Sequence, residues 1–233
     1  MKEWRKREHD SMPEPGRLFV VAVPIGHPKD ITLRAIEVLQ NVAGVICEGY
    51  REGSTVLSKL GIQNELIILN EHNEKTESAR IVELLAQGKS LALISDCGTP
   101  VFADPGHFLL HVAVQAGIPV VPVPGPSSLT AALSVCDFPM ERFVFGGFLP
   151  REKDERRREL ERLREMHLPV ILMDTPYRMV ALLKDVAQVF GNKHQVLLAC
   201  DLTLPSERIY RGEVQDVLQQ IEKRKSEFVL ILR

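Results

Sequence analysis

The sequence predicts an α/β protein with two domains, a mainly parallel sheet in the N-terminal domain and a mixed sheet in the C-terminal domain. The first observation is that short apolar runs alternate with longer stretches of helical periodicity, which is typical of βα units. The second is that the apolar runs of the first half are almost unbroken, as expected for strands buried on both faces. The third is length, since 233 residues leave room for two domains of about 110 to 120 residues each.

The elements of the first half follow this alternation in order. The strand-like runs end at polar or Gly/Pro-containing loops, and three helical stretches end at or beside a glycine: Gly61, Gly88 and Gly117. The predicted strands are 17–23, 42–47, 66–69, 91–95 and 118–123; the predicted helices are 31–39, the segment ending at Leu60, 76–86 and 108–116. Asp30 precedes the first helix as a candidate N-cap. The order predicts one parallel sheet with helices on both faces.

A Pro-rich segment at 122–128 marks the predicted domain boundary. We expect a mobile tail at 1–16, an N-terminal domain at 17–124 and a C-terminal domain at 125–233. Strands follow each other more closely in the second half, which favours a mixed sheet. The predicted strands there are 143–148, 170–173, 196–200 and 228–232, with an extended segment at 201–210; the helices are 126–135, 151–165, the segment ending at Phe190, and 214–221.

Composition and charge narrow the class of protein. No apolar run approaches the roughly 18 residues that a membrane span needs, and segment 1–10 lacks the apolar core of a secretion signal. We therefore expect a cytoplasmic protein without a membrane partner. The net charge of −2 argues against broad electrostatic capture of nucleic acid and leaves a local basic patch possible. The cysteines, at least three of them in or beside apolar runs, are expected to be buried free thiols: Cys47, Cys97, Cys136 and Cys200.

Polar groups cluster in the loops that follow the predicted strands, most densely after the fourth. Asp96 follows this apolar run directly, at the position where open α/β sheets place ligand groups. Gly98 and Gly106 would let the backbone approach a ligand closely. The alternative is an ordinary βα connection in which the aspartate caps the next helix. Because four strands of the first half end in loops of this kind, we favour a site.

Several common chemistries are excluded by their missing motifs. The chain has no Gly-x-Gly-x-x-Gly turn and no P-loop, and Ser127 and Ser128 are not in a nucleophile-elbow sequence. His107 and His111 are four residues apart, but no third ligand accompanies them, so we predict no metal site. A helix that begins at Pro126 would have both serines in its first turn, where the backbone N–H groups favour an anionic group. These loops suit a polar, zwitterionic small molecule held largely by main chain in a neutral-polar cleft.

At this point the loops resemble those of a known family, the tetrapyrrole methylase superfamily of S-adenosylmethionine-dependent methyltransferases. Within it, the chain is most similar to the ribosomal small-subunit 2′-O-ribose methyltransferases that modify a cytidine. The likeness extends over 17–233. The motifs that carry it are Pro24-Ile25-Gly26 with 30–35, Glu71-His72-Asn73-Glu74, 95–100, Asp104-Pro105-Gly106, Pro124-Gly125-Pro126-Ser127, 143–150 and Glu227-Phe228-Val229-Leu230.

The resemblance implies a homodimer whose S-adenosylmethionine lies in the cleft between the two domains, and ribosomal RNA or the small ribosomal subunit as the partner. It implies that six residues lie beside the methyl donor: Pro24, Asp96, Thr99, Ser127, Ser128 and Met173. We add the neighbouring loop residues Gly26, Ser95, Gly98 and Gly125 as predicted cofactor contacts.

The departures from the family pattern lie mostly on the predicted substrate side. The family's Asn after Pro-Ile-Gly is His27, and its Glu-Asp-Thr-Arg is Glu48-Gly49-Tyr50-Arg51. Its Tyr-Glu-Ser-Pro-His-Arg has become 173–178 and its Arg-Glu-Leu-Thr-Lys has become 200–204. The prediction of cofactor binding is therefore safer than the prediction of the substrate.

A ribose hydroxyl is weakly acidic, so methyl transfer to it calls for a base or a nearby charge. The candidates are Glu48, His27 and Asp30, all at or just beyond strand ends; helix capping is the alternative role for Asp30. Substrate contacts are predicted for Arg51, Arg156 and Arg157, although an ion pair between Glu48 and Arg51 would equally explain the first of these.

Three functions remain open on the sequence: an RNA ribose methyltransferase, a methyltransferase for a small molecule such as a tetrapyrrole, and a binding protein that keeps the cofactor pocket without catalysis.

Overall fold

The computed structural model describes residues 14–102, 104–221 and 225–233, which form two compact units. The first unit contains the residues up to Val23 together with Ile31–Gly125, and the second contains Pro24–Asp30 together with Pro126–Arg233. The predicted domain bounds, 17–124 and 125–233, stay a prediction. The structure adds one detail that the sequence did not indicate, because the short segment Pro24–Asp30 packs with the second unit.

The first unit is built on a parallel five-stranded sheet, as predicted. Its strands run in the order β3-β2-β4-β1-β5. Their bounds are β1 Leu18–Val21, β2 Gly44–Cys47, β3 Leu66–Ile68, β4 Leu91–Leu93 and β5 Val120–Val123. The helices of this unit are α1 Leu33–Asn41, α2 Tyr50–Lys59, α3 Glu74–Ala86 and α4 His107–Gln115.

Helices cover both faces of this sheet because neighbouring residues of a strand point to opposite sides. Val45 and Cys47 of β2 pack with Ala35 and Leu39 of α1 and with Leu57 of α2. Ile46, which lies between them, packs on the other face with α3 and α4. This arrangement explains the unbroken apolar sequence of the strands, since each residue of β2 is buried on one face or the other.

The second unit is built on a mixed five-stranded sheet, which confirms the predicted fold class. The order is β6-β7-β10-β8-β9, with β6 and β7 parallel and the other neighbours antiparallel. The strands are β6 Val144–Gly147, β7 Val170–Asp174, β8 Gln195–Cys200, β9 Arg208–Glu213 and β10 Phe228–Leu232. The helices are α5 Ser128–Ser134, α6 Lys153–Glu165, α7 Met179–Phe190 and α8 Val214–Ile221. Helices α6, α7 and α8 pack on one face, while α5 packs on the other.

Three local predictions are corrected. The first helix is capped by Thr32, whose side chain accepts a hydrogen bond from the Ala35 N–H, and Asp30 instead ends a 3-10 turn at Pro28–Asp30. Helix α5 begins at Ser128 with Ser127 as its N-cap residue, so it does not start at Pro126. The segment 201–210, predicted as extended throughout, is a turn-containing loop followed by β9.

The tail and the cysteines also differ in part from expectation. Residues 1–13 lie outside the described residues, but Gly16 is buried and its N–H donates to the Leu85 carbonyl at 2.8 Å. The four cysteines are free thiols, as expected. Cys47 and Cys200 are buried, whereas Cys97 is exposed because it lies on the loop after β4 rather than in the strand. Within the described part of the chain, the helices are too short or too polar to cross a membrane.

Candidate functional site

The carboxyl ends of β2, β3 and β4 form one edge of the first sheet, and polar loops follow all three strands. Glu48 comes directly after β2, and Asp96 lies three residues beyond β4. Because β2 pairs with both β3 and β4, these two loops are neighbours at the sheet edge. Both carboxyl side chains belong to exposed residues. The structure therefore brings two of the predicted site residues to one edge.

Five acidic residues of this edge influence one another electrostatically. We call them the acidic cluster: Glu48, Glu52, Glu71, Asp96 and Asp104. Burial raises the pKa of the Glu48 carboxyl, and the charges of Asp96, Asp104, Glu71 and Glu52 raise it further. Burial and then Glu52 raise the pKa of Asp96, while burial and then Asp96 raise the pKa of Asp104. The neutral-polar character predicted for these loops is wrong at this edge, which carries a concentrated negative charge.

Within the described residues, no ion pair includes Glu48, Asp96 or Asp104. The alternative reading of Glu48 and Arg51 as an ion pair is therefore wrong. Arg51 is exposed, and its carbonyl accepts hydrogen bonds from the side chains of Ser54 and Thr55 within α2. It stays a predicted substrate contact. Among the residues that the structure describes, the cluster has one ion-pair contact, between Glu71 and the His72 ring at 3.8 Å.

Cys47 precedes this cluster, and its thiol has a structural role. Burial, with the charges of Asp96 and Glu52, raises its pKa to about 11, so the thiol is protonated at neutral pH. The thiol donates to the Gly49 carbonyl at 3.4 Å. A Cβ on Gly53 would lie 2.4 Å from the Cys47 sulfur, which explains the glycine at this position of α2.

The loop after β4 is folded back against the end of β1. Gly98 exchanges two backbone hydrogen bonds with Val23, at 2.9 and 3.1 Å, and its φ of +76° favours glycine. The Ser95 hydroxyl donates within the loop, towards the carbonyls of Cys97 at 2.9 Å and Gly98 at 3.3 Å. Ser95 is only 4 % exposed and helps to shape the loop, while its role as a cofactor contact stays a prediction. Asp96 and Thr99 remain exposed on either side of this turn.

Glu74, a member of a motif without an assigned role, holds the far end of the same loop. Its carboxylate accepts hydrogen bonds from the backbone N–H groups of Gly106, at 2.8 Å, and Phe108, at 3.2 Å. These groups lie at the N-terminus of α4, which has no cap from its own N-cap glycine. Asn73 fixes the start of α3 in a similar way, because its side chain donates to the Ile68 carbonyl and accepts from the Asn70 N–H.

In the second unit, the segment Pro24–Asp30 packs against the loop that follows β8. A Cβ on Gly26 would lie 2.7 Å from the Thr203 hydroxyl oxygen and 2.8 Å from the Leu202 carbonyl oxygen. The backbone N–H of His27 donates to that hydroxyl at 2.9 Å. Gly26 is therefore needed for the close packing of two loops. This structural role does not replace its predicted role as a cofactor contact, which stays a prediction. The loop itself contains the left-handed residues Asp201 and Thr203.

The other predicted donor contacts lie at separate places. Gly125 approaches Ala22 of the first unit, where an added Cβ would be 3.1 Å from the Ala22 side chain. Ser127 and Ser128 are half-buried at the start of α5, and the Ser127 hydroxyl makes no capping bond. Met173 is half-buried on β7, opposite Val229 of β10. The donor-site prediction therefore draws on residues of both units, and it stays a prediction.

Arg156 is not placed to contact a substrate. Its guanidinium is buried and donates twice to Asp185 of α7, at 2.6 and 2.9 Å, and also to the carbonyls of Pro150 and Arg151. Arg157 donates to the other Asp185 oxygen at 2.7 Å and keeps 24 % of its side chain exposed. We therefore withdraw Arg156 as a substrate contact and keep Arg157. The sequence analysis missed Asp185 as the partner of these arginines. It could have been found, because an acid on the apolar face of α7 interrupts the pattern of buried residues.

A second buried acid has an arginine partner of its own. Asp174 at the end of β7 lies 3.1 Å from the Nε of Arg178, and its other oxygen accepts from the Thr175 N–H. Burial raises the pKa of the Asp174 carboxyl, while the Thr175 hydrogen bond and the charge of Arg178 oppose this shift. The Arg178 Nη2 donates to the carbonyls of Leu149 and Pro150, each at 2.8 Å. This arginine joins the loops that follow β6 and β7.

Solved structures show which fold the chain has. The chain superimposes on uroporphyrin-III-C-methyltransferase from Thermus thermophilus with a TM-score of 0.63, 22 % identity and coverage of 93 % and 94 % of the two chains. For a diphthine synthase the TM-score is 0.73, at 18 % identity, with 93 % of this chain and 89 % of the other covered. The architecture is that of the two-unit tetrapyrrole methylase fold.

The sequence comparison then gives the family. Residues 17–218 match the family described as Tetrapyrrole (Corrin/Porphyrin) Methylases, and the chain belongs to this family. A relative from Thermotoga maritima, named ribosomal RNA small subunit methyltransferase I, is 38 % identical over 90 % of this chain and 94 % of its own length. The protein of the same name from Escherichia coli O157:H7 is 37 % identical over 93 % of this chain and 77 % of its own. These relatives confirm the predicted enzyme class, a methyltransferase.

Proposed function

We propose that this chain transfers a methyl group from S-adenosylmethionine to a ribose 2′-hydroxyl of small-subunit ribosomal RNA. The observation that carries the proposal is the likeness to the relatives of that name, which extends over nine-tenths or more of this chain. Arg51 and Arg157 remain the proposed substrate contacts. The predicted homodimer and the cytoplasmic location are part of the same proposal.

The chemistry of the first unit's sheet edge fits a positively charged donor. S-adenosylmethionine carries a sulfonium and an ammonium group, and the acidic cluster supplies three carboxylates, those of Glu48, Asp96 and Asp104, that have no ion-pair partner within the described residues. Asp96 is exposed beside the Gly98 turn. Its carboxylate can accept hydrogen bonds from an amino group or a ribose and offset the positive charge of the donor.

The main task of the protein is to align the reacting oxygen and to take up its proton. Bound S-adenosylmethionine supplies a methyl group on a positively charged sulfur that is already activated for in-line displacement. Glu48 is the best-supported base, because its raised pKa brings the carboxylate closer to the basicity that removing a hydroxyl proton requires. Its neighbours in the acidic cluster therefore favour proton uptake.

His27 and Asp30 have less support as bases. The Nδ1 of His27 accepts a hydrogen bond from the Lys29 N–H at 3.2 Å, so the ring proton of the neutral form lies on Nε2. The Asp30 N–H bonds to the His27 carbonyl, and the residue ends an exposed turn. Glu48→Gln should therefore lower kcat more than His27→Gln does.

The test uses radiolabelled donor with three acceptors: small ribosomal subunits that lack the modification, free small-subunit rRNA, and a tetrapyrrole precursor. Label in RNA is expected, and it should survive alkaline hydrolysis in dinucleotides, because methylation blocks the 2′-oxygen that otherwise cleaves the chain. Label in alkali-released mononucleotides would mean base methylation and would contradict the ribose assignment. Label in the tetrapyrrole alone would support the second function.

Donor binding without transfer to any acceptor would point to a binding protein that has lost catalysis. The Asp96→Ala variant serves as the negative control for incorporation, and Glu83→Ala, an exposed position on α3, serves as the matched control that should incorporate normally.

A further inference from the structure

Tyr177 presents an aromatic ring to solvent at the carboxyl end of β7. It is 79 % exposed, although a side chain of this size is usually largely covered. The ammonium group of Lys225 lies over its ring, 4.8 Å from the centroid. In proteins that bind single-stranded nucleic acid, aromatic rings stack on bases and nearby cations contact the phosphates.

The turn that carries Tyr177 is fixed by contacts of the buried residue Asp174. Asp174 is 3 % exposed; it lies 3.1 Å from the Arg178 Nε and accepts from the Thr175 N–H at 2.7 Å. These contacts fix the residues on both sides of the exposed ring. A ring on a fixed turn loses little conformational freedom when a ligand stacks on it.

A second exposed aromatic residue lies on the adjoining loop. Phe148 follows β6, the parallel neighbour of β7, and is 52 % exposed. The loops are joined because the Arg178 Nη2 donates to the carbonyls of Leu149 and Pro150. Arg156 Nη1 donates to the Pro150 and Arg151 carbonyls, so the loop of Phe148 is also fixed.

Exposed cations and the exposed acid Glu227 lie around these loops. Arg151 and Lys225 are exposed at this end of the sheet. Glu152, the acidic neighbour of Arg151, is directed to the N-terminus of α6, where it accepts from the Glu155 N–H at 2.7 Å. The buried acids Asp174 and Asp185 face arginines rather than solvent.

We propose that Tyr177 and Phe148 form a stacking surface for unpaired bases of an RNA substrate, with Lys225 and Arg151 beside its phosphates. The inference rests on the proposed function and adds residues of the second unit that contact the substrate. Unpaired bases are the fitting ligand, because a stacking ring reaches a base face only where the base is not paired within a helix. These residues belong to the second unit, whereas the acidic cluster belongs to the first.

The test compares variants of the full chain in binding a fluorescein-labelled single-stranded RNA, the same strand annealed to its complement, and small ribosomal subunits. Tyr177→Ala should weaken single-strand binding and raise the KM for subunits by about tenfold. Tyr177→Phe should bind as the wild type, because it keeps the ring. Lys225→Gln should flatten the salt dependence of binding.

Two control variants lie at the opposite end of the same sheet. Met166→Ala removes an exposed apolar side chain that precedes β7, and Lys193→Gln removes an exposed cation that precedes β8. Neither should change RNA binding. S-adenosylhomocysteine binding should be unchanged in all variants, which shows that each is folded.

The inference is overturned if the wild type methylates rRNA and Tyr177→Ala retains the wild-type KM and affinity, or if duplex binds as well as single strand. A wild type that methylates no RNA but binds the single strand through Tyr177 would overturn the proposed function and leave this inference standing. Equal losses in Tyr177→Ala and Met166→Ala would also contradict it.

Discussion

Two groups of acidic side chains, one in each unit, have opposite electrostatic surroundings. In the second unit, Asp174 and Asp185 are buried and each has an arginine partner, so their charges hold loops together. In the first unit, Glu48 and Asp96 are exposed at the surface of a cluster in which carboxylates raise one another's pKa. The comparison shows that the paired acids hold loops of the second unit in place, whereas the clustered carboxylates of the first unit keep negative charge at a cost in stability.

The largest expected effect is on the paired acid. Asp185→Ala should lower the free energy of unfolding by about 3–5 kcal/mol, because it leaves two arginines without the carboxylate that they share in the interior. Urea denaturation measures this loss. Glu159→Ala is the matched control on α6, since it breaks only the surface pair with Arg162 and should cost less than about 1 kcal/mol. Equal losses in the two variants would contradict a structural role for the buried pair.

Glu74 tests how the first unit orders its loop. Glu74→Ala should cost about 1–2 kcal/mol, since two N–H groups at the start of α4 lose their acceptor, and donor affinity should fall with it. Glu74→Gln keeps an acceptor oxygen and should recover most of the affinity. Calorimetric titration with S-adenosylhomocysteine measures this effect. Glu77→Ala, three residues further along α3, should leave affinity unchanged; if it weakens binding as much, the cap is not the cause.

The smallest effect concerns the unpaired acid Glu48. Its pKa is raised in the folded state, so the folded protein binds more protons than the unfolded chain, and stability falls as pH rises from the ordinary carboxyl pKa through the raised one. Glu48→Gln removes this penalty and should raise the free energy of unfolding at neutral pH by no more than about 0.5 kcal/mol. Its stability should also depend less on pH in the acidic range. Denaturation at several pH values measures both effects. A loss of stability in Glu48→Gln at neutral pH would contradict the claim that the charged Glu48 carboxylate destabilises the fold.

Much of the fold could be predicted because buried strands and helix faces require apolar residues at regular positions. The apolar run 91–95 contains strand β4 at Leu91–Leu93, and Gly61 and Gly88 follow helices as expected. The first helix cap was assigned to Asp30 instead of Thr32, since both are good caps and only the backbone conformation decides between them.

The site was less predictable because its contacts join distant residues. Glycine is needed at position 26 because Thr203 packs against it, and Thr203 is 177 residues away in sequence. No local sequence pattern predicts this contact. The acidic cluster needs the strand order β3-β2-β4, which the alternation of elements does not specify. Asp185 was detectable in principle, because an acid between Leu182 and Val186 interrupts a buried helical face.

The most direct test of the account is calorimetric titration of the wild type and Asp96→Ala with S-adenosylmethionine. Because Asp96 is an exposed loop residue, the variant should unfold at the same temperature as the wild type, and Glu83→Ala should match the wild type in both respects. The account predicts binding by the wild type and its loss in Asp96→Ala. Equal affinity in the two proteins, or no affinity in the wild type, would contradict the claim that the first unit's carboxylates hold the donor.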